Sequence, residues 1–111
     1  MFNFPKNMSD IKRKRCLRAC QFCRDVVIDL DKAGLSIYSK ANFNYNLNSP
    51  GIIISKIYLT EEMCKCLFNT FDINKYFNVK GYRKTIHISI DKKYMNKIDE
   101  LETLFKIQGI I

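Results

Sequence analysis

DIKRKRCLRACQFCRDVVIDLDKAGLSIYSK, Asp10 to Lys40, is the stretch on which the fold turns. Its first half carries a helical signal. At about 100° per residue, Cys16, Ala19, Cys20, Phe22, Cys23 and Val26 share one side of a wheel. Arg13, Lys14, Arg18, Gln21 and Arg24 share the other. Ser9 or Asp10 is suited to cap the start, because a short side-chain oxygen accepts an orphan backbone N–H there. Lys12 and Arg15 fall at the border of the apolar side, where their stems must snorkel outward. Leu17 interrupts the basic side. The second half reads differently. Val27–Asp31 alternates apolar and acidic residues, the pattern of a strand with one wet face. Asp31-Lys32-Ala33-Gly34 is a turn signal, with Gly34 free to take positive φ. Leu35–Ser39 resumes the alternation, so an antiparallel hairpin is expected.

Working outward, Met1–Pro5 alternates weakly and reads as a short strand, with Pro5 at its edge. Asn42–Gly51 is rich in Asn and ends in Ser49-Pro50-Gly51, a loop signal. Ile52–Leu59 is β-branched and reads as a strand. Thr60–Thr70 fits either a helix capped by Thr60 or a turn followed by a strand at Met63–Phe68. Phe71–Val79 is expected to hold a strand or turn. Thr85–Ile90 is the clearest strand, with Ile86, Ile88 and Ile90 on one face and Thr85, His87 and Ser89 on the other. Asp91 caps a second helix, whose buried stripe is Tyr94, Ile98, Leu101 and Phe105. Gln108-Gly109-Ile110-Ile111 is read as the start of one more strand. These elements sum to an α+β fold, a mostly antiparallel sheet with two helices on one face.

The totals narrow the function. The chain of 111 residues suits one domain, 1–111. No apolar run reaches the roughly 20 residues of a membrane span, and the first ten residues lack a signal-peptide block. An intracellular protein with no membrane partner is expected. Five cysteines without a secretory signal argue for free thiols. Net charge is +8, from 19 Lys and Arg against 11 Asp and Glu, which favours a polyanionic partner. Six of those basic residues lie between Lys12 and Arg24, with no acid between Asp10 and Asp25.

The order and spacing resemble the first domain of a eukaryotic-type sliding clamp, the PCNA family. Met1-Phe2 opens the chain, and Ile11 begins a Lys/Arg-rich helix after a short lead. VIDLDKAGLSIYSKA, Val27 to Ala41, resembles the family's first hairpin and is the most telling piece. TIHISIDKKYMNKIDEL resembles the later strand and second helix. The resemblance covers about two thirds of the chain. It implies a sliding-clamp half-subunit and a ring around double-stranded DNA, lined by helices, that tethers a DNA polymerase. It implies a processivity factor for DNA replication that is a homo-oligomer, is not an enzyme, needs no cofactor, and works in a nucleus or at a viral replication site. It matches Arg13 and Lys14 to hole-facing positions; Arg18, Gln21 and Arg24 follow by periodicity. Lys92, Lys93 and Lys97 are the corresponding candidates on the second helix. With about six residues after Phe105, the domain is expected to lack its closing strands. The alternative is a small α+β interaction or transcription-regulatory protein that keeps the clamp fold without encircling DNA.

Other chemistries compete for the same residues. Cys16-x3-Cys20-x2-Cys23 has the spacing of a radical S-adenosylmethionine cluster, but on a helix the three thiols share the buried side. Cys20, Cys23, Cys64, Cys66 and His87 suggest zinc, with unsuitable spacing. Asp29 and Asp31 are too few to define a cation site. His87 has no partner placed to make it a catalytic base. No catalytic residue and no metal site is expected.

Overall fold

The computed structural model describes residues 10–31, 40–46 and 48–111. The chain begins there with helix α1, Asp10–Asp31. Strands β1, Asn42–Asn44, and β2, Gly51–Ser55, follow. Helix α2 is Glu61–Thr70, and strands β3 and β4 are Phe77–Gly81 and Thr85–Ile90. A 3₁₀ segment, Lys92–Lys97, leads into helix α3, Ile98–Ile107.

The fold is α+β; the described residues form one four-stranded sheet in the order β1-β2-β4-β3, every pair antiparallel. Register assigns the faces. Phe43 lies opposite Ile52, Ile52 opposite Ile88, Ile54 opposite Ile86, and Phe77 opposite Ile90. These residues face the helices. Asn42, Ile53, His87 and Lys80 form a row on the other face, paired in that order across the sheet. Among the described residues three helices, not two, cover the apolar face: α1 lies against β2 and β4, with α2 beside β3 and α3 beside α1. Phe22, Phe68, Phe77 and Phe105 bind these layers together, with ring centroids 4.8 Å apart for Phe68–Phe77 and 5.5 Å for Phe22–Phe105. Such pairs add to the burial of their area.

The main correction concerns Val27–Asp31. These residues continue α1 and are not a strand. Val26, Val27 and Leu30 are buried, extending the stripe of Ala19 and Cys23 at helical spacing. Five residues fit both periods, and a helix already nucleated adds residues cheaply. The first strand of the expected hairpin is therefore absent. The turn residues Lys32–Gly34, the strand Leu35–Ser39 and the strand Met1–Pro5 lie outside the described residues.

Elsewhere the outcome varies. Thr60–Thr70 takes its helical alternative: Thr60 accepts the Met63 N–H at 3.2 Å, and Glu61 and Glu62 sit in the first turn beside the exposed N–H groups. The expected strand Ile52–Leu59 stops at Ser55, where the chain turns toward α2. Thr85–Ile90 is a strand over its whole length. Asp91 caps as expected, accepting the Lys93 N–H at 3.0 Å, but the helix does not become α-helical until Ile98. Ile110 is not a strand residue. It is buried in the core as α3 ends, with Gly109 at φ +75°.

Candidate nucleic-acid interface

The expected basic face of α1 does not survive intact. Arg18 reaches α3, where its Nη2 donates to Glu102 at 2.7 Å and Asp99 at 3.0 Å. Burial disfavours its charge, but these two hydrogen bonds outweigh burial and raise its pKa. Arg24 lies over the Phe43 ring of β1 at 4.7 Å, its side chain only 20% exposed, and approaches Asp25 at 3.8 Å. Arg13 approaches Asp10 at 3.8 Å. Gln21 is half-buried. Arg18, Arg13 and Arg24 thus face acids or an aromatic ring, which removes most of the cationic stripe that periodicity placed on one side.

A different basic cluster appears where α1 starts. The 3₁₀ segment follows β4 directly and runs beside the first turns of α1. Two clefts open between them. One, of about 560 Å³, is lined by Lys14, Arg15, Arg18, Asn96 and Asp99 together with the apolar Met95 and Ile98. The other, of about 460 Å³, is lined by Lys12, Arg15, Cys16, Asn48, Lys92 and Asn96. Arg15 stands between them. Of the expected residues, Lys14, Arg18 and Lys92 line these clefts, with Arg18 already bonded to acids, and Lys93 and Lys97 are exposed on the same segment. Lys12 and Arg15 were the residues sequence reasoning set aside as border positions. Their border position was the available signal, because the border of α1 at this end abuts the 3₁₀ segment and not the sheet. Asp99 is the acid in the first cleft, and it is bonded to Arg18.

The arrangement suits an anion. Lys14, Arg15 and Lys92 form no ion pair among the described residues, while the acids Asp99 and Glu102 are held by Arg18 and Lys106. Asn48 and Asn96 add amide donors. Cations with no internal partner lose less on meeting phosphate than cations that must first break a bond.

The thiols are otherwise disposed. Cys16, Cys20, Cys23 and Cys64 are buried, and Cys66 is exposed. Burial pushes Cys20 and Cys64 up to about 12, and raises Cys16 and Cys23. Cys20 also donates to the Asn44 carbonyl at 3.3 Å. These groups stay protonated at neutral pH. His87 lies on the sheet face opposite Cys20 and Cys23, which overturns the five-residue zinc reading. Among the described residues no cluster of three or more His, Cys, Asp or Glu is placed to hold a metal, and no helix is long and apolar enough to cross a membrane.

The chain matches no family model, no curated protein and no solved structure.

Proposed function

We propose that this protein grips double-stranded DNA by its phosphate backbone, through the clefts between the start of α1 and the 3₁₀ segment, as a non-enzymatic accessory protein. One observation carries the reading: Lys12, Lys14 and Arg15 meet Lys92 across two adjoining clefts while Arg18 occupies the neighbouring acids. Contacts of this type give affinity without reading base edges. The sliding ring, its polymerase and its homo-oligomer rested on the clamp resemblance. The strongest piece of that resemblance, Val27 to Ala41, loses its first strand to α1. The reading proposed is therefore the backbone grip itself.

The test is fluorescence anisotropy with a labelled 20-base-pair duplex between 50 and 200 mM salt. About four phosphate contacts give a log–log slope of about −3.6, hence on the order of a 100-fold loss over that range. The triple substitution Lys14→Glu, Arg15→Glu, Lys92→Glu is expected to weaken binding at least tenfold for every duplex sequence alike. Retained binding, or a loss confined to one sequence, overturns the reading.

A further inference from the structure

A second basic region lies at the opposite end of the sheet, where β3 turns into β4. The turn is tight, with the Tyr82 N–H donating to the Thr85 carbonyl at 2.8 Å. It carries Tyr82, Arg83 and Lys84, all exposed. The Lys56 N–H donates to the Lys84 carbonyl at 2.9 Å, so the segment after β2 is held against this turn. Strand alternation puts Lys80, Tyr82 and His87 on the face away from the helices. Their contacts agree. Tyr82 and His87 rings are 4.3 Å apart at 46°, and Lys80 Nζ stands 5.5 Å from the Tyr82 centroid. Lys40 repeats the pattern at the same end, 5.8 Å from the Tyr58 ring.

We infer that this turn and the adjoining sheet surface around Lys80 and His87 form a binding site for single-stranded nucleic acid, separate from the duplex grip. An aromatic ring that is 44% exposed, braced from beneath by His87, offers a stacking surface to a base. Burial, and then Lys80, holds the His87 imidazole below its ordinary value, so a neutral ring supports Tyr82. A lysine over an exposed ring is held more weakly than a stacked base, so a base displaces Lys80 and frees it for phosphate. Arg83 and Lys84, both exposed, supply further cations at the turn, while Lys56 is engaged electrostatically with Glu61. The acids of this end, Glu61 and Glu62, open α2 on the helix-covered side, and Glu61 is bonded to Lys65 at 2.7 Å. A duplex fits this site poorly, because its bases are already stacked and present no free π-face.

The experiment titrates fluorescein-labelled 12-mer oligothymidylate, and an abasic 12-mer of the same charge, into the full chain at 50 mM salt. The oligothymidylate is expected to bind about tenfold tighter than the abasic strand. Tyr82→Ala is expected to remove that difference and leave duplex affinity unchanged; Tyr82→Phe is expected to keep it. Thermal melts establish that both variants fold. Equal binding of the two strands overturns the site, as does a Tyr82→Ala protein that still prefers bases. Loss of duplex binding in the cleft variants does not alter either outcome, so the two readings fail separately.

Discussion

Asp72 and Gly109 do the same work at the ends of two helices. Asp72 has φ 55° after α2, and Gly109 has φ +75° after α3. In each case the next residue's N–H reaches back across the last turn: Ile73 to the Phe68 carbonyl at 3.0 Å, Ile110 to the Phe105 carbonyl at 2.8 Å. Both isoleucines are buried, so each turn also closes the core. Glycine takes this conformation without strain and aspartate does not. Asp72→Gly is therefore expected to stabilise the protein by about 0.5 kcal/mol, and Gly109→Ala to destabilise it by about 1 kcal/mol. Urea unfolding midpoints check both. Gly51 is constrained differently. A Cβ there would lie 1.9 Å from the Ile88 carbonyl oxygen, so β2 and β4 approach as closely as they do because the residue is glycine. The Ser49-Pro50-Gly51 punctuation was legible in the sequence, but this packing role was not, since it depends on a strand far along the chain.

At the scale of elements, helices with a single consistent period were legible and segments with two were not. Tyr94, Ile98, Leu101 and Phe105 announced α3; the last three are buried in it, and Tyr94 falls in the 3₁₀ segment before it. Val27–Asp31 fitted both periods, and the burial that decided it comes from β2 and β4, which local sequence does not show. The basic face of α1 failed for a related reason. A helical wheel sorts residues by angle but not by what lies opposite, and α3 brings Glu102 and Asp99 against Arg18. That bridge has a pH signature. The bond from Arg18, with help from Lys106, holds the Glu102 carboxyl below its ordinary value despite partial burial. A lowered folded-state pKa stabilises the fold above the ordinary carboxylate range. The contribution is lost as pH falls from that range through the lowered value. The protein is expected to exceed Glu102→Gln in stability by about 0.5–1 kcal/mol at pH 7, a margin that shrinks in acid. Urea melts at pH 7, 5 and 3 measure it; a constant margin would show that the Glu102 charge does not stabilise the fold.

At the scale of the whole molecule, the two clusters of cations proposed to bind nucleic acid lie at opposite ends of β4. The α1 clefts adjoin the end of β4 at Ile90, and the Tyr82 turn precedes its start at Thr85. Six residues of strand separate them by about 20 Å. Net charge of +8 raised the expectation of a polyanionic partner but gave no place on the fold to meet one. Its placement depends on which cations the fold neutralises, and that became visible only with α3 in position. Amide chemical-shift mapping during titration with a duplex tests the central claim most directly. The account expects the shifts to concentrate at residues 12–15 and 92–97, growing weaker as salt is added. Shifts centred on the far end of α1, or on the sheet face away from the helices, would contradict it.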